Sequence, residues 1–150
     1  MQSQWILMIP LFLGICIVLQ GALNREIARN WGLAGAVFLN NLVFLMLGLV
    51  LFLTVRKVPN IFPDVFRDRG AFGMVYWWYL LPGILGFAIV TGAPWAMSRI
   101  GAFHFVVLVI AAQMVAGLAW DATVNGLPLT TVRTLGAMLG IAGAVLVSWK

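Results

Sequence analysis

The chain has 150 residues, 63% hydrophobic and 9% charged, with a net charge of +5 and a mean hydropathy of +1.06. Soluble domains run about 45 to 50% apolar and about 25% charged, so this composition excludes a water-soluble fold and marks an integral membrane protein, read as a single transmembrane domain over 1–150. The nine Lys or Arg residues sit almost entirely in the breaks between apolar runs, where they face lipid headgroups, and the basic balance is therefore no sign of nucleic-acid binding.

A hydrocarbon core about 30 Å thick takes about 20 helical residues to cross. Five runs meet that length: 5–23, 33–55, 75–97, 101–120 and 135–149. Because unsatisfied backbone groups are not tolerated in lipid, each is predicted helical, and the expected fold is an all-α, polytopic bundle of five transmembrane helices.

The first run, WILMIPLFLGICIVLQGALN, ends on two amides, Gln20 and Asn24. Four residues apart, they project from one helical face. Such a pair either staples two helices through a hydrogen bond or contacts a solute, for which an amide offers both a donor and an acceptor. Cys16 lies within the same run, has no second cysteine to join, and reads as packing. MQSQW lacks a basic leader region and further apolar segments follow, so the run is expected to be a span and not a cleaved signal.

A polar break, NREIARNWG, leads to the second run, in which Asn40 and Asn41 are adjacent. Neighbours on a helix splay about 100° apart, so one is expected to pack while the other faces a cavity. The next break, RKVPNIFPDVFRDRG, interleaves Ile61, Phe62, Val65 and Phe66 with Asp64, Arg67, Asp68 and Arg69. It is either a short amphipathic helix lying on the membrane or a solvated loop.

The third run carries Thr91, Trp95 and two prolines, Pro82 and Pro94, that favour kinks by removing backbone hydrogen bonds. It shares an Ala88/Gly92 spacing of small residues with Ala112/Ala116 in the fourth run. A break of only SRI precedes the fourth run, which holds His104 near its start, Gln113 at its middle and Asp121 just past its end. Mid-membrane is the costliest depth for an amide, which makes Gln113 the leading site candidate. Asp121, eight residues on, falls on roughly the same face and is either a site residue or an interfacial marker. His104 reads as packed or interfacial. After DATVNGLPLTTVR, the last run places Gly136, Gly140 and Ala144 at every fourth position, a stripe that lets helix backbones approach closely. The stripe serves either packing within the chain or a dimer interface.

Two patterns run across the whole chain. The seven tryptophans, at 5, 31, 77, 78, 95, 120 and 149, all fall near predicted span ends, as an interfacial belt requires. An odd number of spans puts the termini on opposite sides. Arg56, Lys57, Arg67, Arg69 and Arg133 then stand against Arg25, Arg29, Arg99 and Lys150. That count leans toward a cytoplasmic N-terminus and also fits a chain that inserts both ways.

No nucleophile stands with a base at a recognisable spacing, and the spans hold neither paired carboxylates nor a cluster of metal ligands. The expectation is a chain that is no enzyme and needs no cofactor or metal. The segments LQGALNREIA, GILGFAIVT, SRIGAFHFVVLVIAAQM with Asp121 beyond it, and LGAMLGIAGAVLV together resemble the YdcZ family of bacterial inner-membrane proteins, within the drug/metabolite transporter (DMT) superfamily. The resemblance covers almost the entire chain and implies a DMT-like half-transporter of five helices, with Gln20, Asn24, Gly86, Thr91, Gly101, Gln113, Asp121 and Gly136 at family positions. The chain departs from the family at Asn40 and Asn41, at His104, at Ala112 in place of a glycine, and in the extended DATVNG turn.

A five-helix bundle is thin for enclosing a solute, and transporters commonly combine two repeats around a central site. The expected partners are a small-molecule solute, membrane lipid and a second chain. That second chain is either an identical copy, parallel or antiparallel, or a homologue. The expected solute contacts are Gln20, Asn24, Asn40, Asn41, Thr91, Trp95, Gln113 and Asp121. The rival reading is a membrane scaffold or regulatory subunit that transports nothing.

Overall fold

A computed structural model describes residues 5–66 and 76–149, within which every regular element is helical. The expectations placed on Val75, Arg67, Asp68, Arg69 and Lys150 lie outside the described residues. Four helices carry the fold: α1 (Trp5–Lys57), α2 (Leu81–Ile100), α3 (Ala102–Thr123) and α4 (Thr131–Ser148). All four are long and apolar enough to cross a membrane. Large apolar side chains such as Leu11, Phe12, Leu45, Ile89 and Leu139 are exposed along them, as helices bathed in acyl chains require.

The largest departure from the sequence reading is at the first break. NREIARNWG is helical through Trp31, and only Gly32 leaves the helix, at φ 77° and ψ 160°. That region is open to glycine and nearly closed to every other residue. A straight helix of 53 residues would extend about 80 Å, more than twice a hydrocarbon core. Asn24 and Asn40 show that it is not straight. Sixteen residues apart, they would be separated by about 24 Å on one rod, yet Asn24 Nδ2 donates a long hydrogen bond of 3.5 Å to Asn40 Oδ1. The chain therefore folds back at Gly32. Gly35 tightens the corner, since a Cβ there would come within 3.2 Å of Trp31 Cβ.

SRI is likewise helical. α2 continues through Ile100, and Gly101 alone, at φ 81° and ψ 158°, separates it from α3. Gly32 and Gly101 thus make the same turn with nearly the same dihedrals. Polar residues near both corners led the sequence reading to longer breaks, but a helix satisfies its own backbone bonds and can carry such residues into the headgroup zone.

Other expectations shift for local reasons. The described part of the second break, left open as an amphipathic helix or a loop, forms two short 3₁₀ turns, Pro59–Ile61 and Asp64–Phe66, with Pro59 and Pro63 each removing a backbone donor. Pro82 lies in the first turn of α2, where its missing N–H costs nothing, and α2 runs on past Pro94 as one helix. A 3₁₀ turn, Trp77–Leu80, leads into α2, with the Trp78 and Tyr79 rings in edge contact at 4.2 Å.

The chain divides into two compact units. One comprises Met1–Ala22 with Trp95–Lys150, the other Leu23–Pro94. Within the first, α3 packs on α4. Lipid offers no hydrophobic force to drive helices together, so contact depends on close backbone approach. Ala137 and Ala144 are buried, and a Cβ on Gly140 would come within 2.6 Å of Met114 Sδ. Gly136 is exposed with open space before it, so the α4 stripe that packs within the chain is Ala137, Gly140 and Ala144. Gly140→Leu is expected to force α3 and α4 apart at a cost of about 1 to 3 kcal/mol. A lowered thermal midpoint in detergent would register it, with Gly136→Leu nearly silent. A second close approach in this unit sets Gly21 against Met97, which is 1% exposed; a Cβ at Gly21 would lie 2.7 Å from Met97 Cε.

Candidate functional site

The polar residues at membrane depth separate by what they touch. Asn24 is buried, 5% exposed, and its amide donates to Asn40 across the Gly32 corner. It thus contributes to closing a helical hairpin. Asn41, turned about 100° from Asn40, instead lines an open cleft of about 560 Å³.

That cleft lies within the second unit. Its walls are Leu33, Ala34, Val37, Phe38 and Asn41 from one face of α1, and Phe87 and Thr91, four residues apart, from α2. The α1 residues recur at helical spacing just past Gly32, so the glycine corner fixes where this face begins. Ligand pockets usually take this form, mostly apolar, roughly 300 to 1,000 Å³, with a few placed polar groups.

Thr91 supplies the chemistry. Threonines inside helices usually turn the hydroxyl back to the carbonyl four residues earlier. Thr54 does so to Val50 at 2.7 Å, Thr123 to Ala119 at 2.7 Å and Thr134 to Thr130 at 3.2 Å. Thr91 does not: its Oγ1 is buried and makes no hydrogen bond. A buried hydroxyl left unpaired costs about 1 to 3 kcal/mol, and a turn about χ1 that brought it into the cleft would let a bound polar group recover that cost. Asn41 adds a donor and an acceptor, and no lining residue is ionisable.

The remaining predicted site residues belong to the first unit. Gln20 is half-buried and directly precedes Gly21, the glycine that packs on Met97. Trp95 is exposed and carries the Arg99 guanidinium 5.5 Å from its ring centroid, a cation–π contact suited to an interfacial anchor. Gln113 is exposed near the middle of α3. Asp121 is engaged by its own loop, accepting from Asn125 Nδ2 at 2.9 Å and facing Arg133 Nη1 at 3.7 Å. The Leu127 amide donates to the Asp121 carbonyl, and the Thr130 hydroxyl caps α4 by accepting from the Arg133 amide. Both partners of the ion pair are partly exposed, so Asp121→Ala is expected to cost no more than about 1 kcal/mol, a small shift of the detergent thermal midpoint.

A second cleft of about 500 Å³, against Leu108, Ala111, Ile141, Ala144, Val145, Ser148 and Trp149, offers no comparable group. Its one hydroxyl, on Ser148, already donates to the Ala144 carbonyl at 2.8 Å. Among the described residues no group of three or more His, Cys, Asp or Glu could seat a metal ion.

The sequence reading did not single out Leu33, Ala34, Val37, Phe38 or Phe87. Nothing in a uniformly apolar run distinguishes a cleft wall from a lipid-facing side chain. The only available signal was the neighbouring polar pair, Asn41 and Thr91.

Comparison with known proteins gives a consistent picture. Residues 5–146 match the family profile described as "Putative inner membrane exporter, YdcZ". The chain is 30% identical over 143 residues to the inner membrane protein YdcZ of Escherichia coli strain K12, a match covering 90% of this chain and 89% of that protein. No solved structure matches.

Proposed function

Because this chain belongs to the YdcZ family and is a multi-pass protein of the bacterial inner membrane, we propose that it is a transporter subunit exporting a small organic solute that enters the cleft between α1 and α2. One observation carries this reading: the Thr91 hydroxyl is buried beside the cleft and unbonded, while the helical threonines at 54, 123 and 134 bond to their own helices. Asn41 is the second contact. Apolar and aromatic walls without charge suit a solute with an uncharged, largely apolar body and one or two hydrogen-bonding groups. Direction comes from the family description.

We read the four apolar helices as the five-span unit of a DMT-like half-transporter. α1 counts as two spans, because Gly32 turns it back as Gly101 turns α2 into α3. Five spans place the termini on opposite sides, and two such units inserted in opposite senses would form the inverted pair that many transporters build around a central site. We therefore read the working form as a dimer.

The test is reconstitution of the purified chain into liposomes, followed by solute efflux and ligand-dependent thermal shift across a panel of neutral and charged metabolites. A response to neutral amphiphilic solutes that weakens several-fold in Thr91→Val supports the cleft. No response across the panel removes the transport reading and leaves the scaffold.

A further inference from the structure

We infer that the exposed face of α3 centred on Gln113 is the docking surface for a second copy of this chain, with the two Gln113 amides hydrogen-bonding to each other at mid-membrane. The inference rests on the dimeric reading above and is independent of the transport reading.

Gln113 stands near the midpoint of α3, Ala102–Thr123, and its side chain is exposed. Among the described residues Gln20, Asn24, Asn40, Asn41 and Thr91 are half-buried or buried: Asn24 and Asn40 pair with each other, and Asn41 and Thr91 line the cleft. The adjacent face of α3, at Met114, is already occupied by α4 at Gly140. The face left uncovered runs through Gln113, Ala116, Gly117 and Trp120, spaced at i, i+3, i+4 and i+7, and all four are exposed. A Cβ placed on Gly117 would meet nothing within 4 Å.

An amide at this depth has neither water nor headgroups to bond, and facing acyl chains would leave one acceptor and two donors unmet. The simplest complement is another amide, and a second copy presents one at the same depth. Ala116 and Gly117 beside it are small enough for two helices to approach within hydrogen-bonding range. Being near mid-span, position 113 would oppose its own counterpart in either a parallel or an antiparallel pair, whereas positions toward the ends would not. The surface is therefore self-complementary, as a two-fold interface requires, and it suits a chain whose charges choose neither orientation firmly.

Single cysteines in the full-length chain carrying Cys16→Ala, oxidised in native-lipid membranes, test this. Gln113→Cys should give a disulfide-linked dimer, and Val115→Cys, exposed but about 200° round the same helix, should not. Val109→Cys and Gly117→Cys then report the sense of the pair. Each linking only to itself means parallel, linking only to one another means antiparallel, and either pattern supports the interface. Gln113→Leu should weaken dimerisation about three- to thirtyfold, as loss of interhelical amide bonds does, with Gln113→Asn retaining part of the effect. A dimer that cross-links through 115 and not 113, or whose strength Gln113→Leu leaves unchanged, overturns the face while the dimeric reading stands. A chain that is monomeric in the same membranes overturns both.

Discussion

Thr91→Val combined with Asn41→Leu is expected to raise the solute concentration for half-maximal thermal shift or efflux roughly tenfold, with the apo thermal midpoint held or raised. Each change removes a cleft hydrogen-bonding group while keeping approximate size. Loss of one or two hydrogen bonds of about 1 kcal/mol each, in a site with no charge to compensate, corresponds to roughly a tenfold loss of affinity. The stability arm follows from the unbonded state of Thr91 Oγ1: replacing an unsatisfied buried hydroxyl with a methyl group removes a desolvation cost without breaking any bond. A structural hydroxyl would behave in the opposite way. Its loss would lower the apo midpoint and leave ligand response, where present, in proportion to the folded fraction. Asn24→Leu is the contrasting variant, because it breaks the bond to Asn40 and is expected to lower stability without contacting the cleft.

The other large effect belongs to the corners. Gly32→Val or Gly101→Val places a β-branched side chain at φ 77° or 81° with ψ near 160°, a region that costs an ordinary residue on the order of 1 to 3 kcal/mol and a branched one the upper end. The expected result is a sharp fall in folded, detergent-extractable protein for each variant, read by fluorescence-detected size exclusion. Space is not the cause, since a Cβ at either position would meet nothing within 4 Å. A Gly32→Val chain that extracts and melts like the parent would show that this corner is not held in the left-handed region. Gly83 and Gly92, in α2 with open surroundings, are suitable controls, and alanine there should be tolerated.

The helical, membrane-spanning character was legible because composition alone decides it. At 63% apolar and 9% charged the chain cannot stay in water, and lipid then forces its backbone bonds to close within helices. The corner positions were only half legible. Gly32 and Gly101 are visible as glycines near polar residues, but so are glycines that stay helical, and the positive φ that separates them appears only in the structure. The expectation that Asn40 and Asn41 would take different roles rested on the helical rise. It could name neither the one that meets Asn24 nor the one that faces the cleft.

The sequence by itself determined that the protein is helical, resides in the membrane and carries a few amides and hydroxyls that the bilayer will not accept uncovered. Tertiary structure alone decided which face of each helix those groups occupy: Asn24 on Asn40, Asn41 and Thr91 on one cleft, Ala137, Gly140 and Ala144 toward α3, and Gln113 outward. The physical reason is the solvent. In water, the alternation of apolar and polar residues along a helix records its buried side, whereas in lipid both sides are apolar. Facing is then set by close backbone approach and a few hydrogen bonds between residues far apart in the chain, and hydropathy does not encode either.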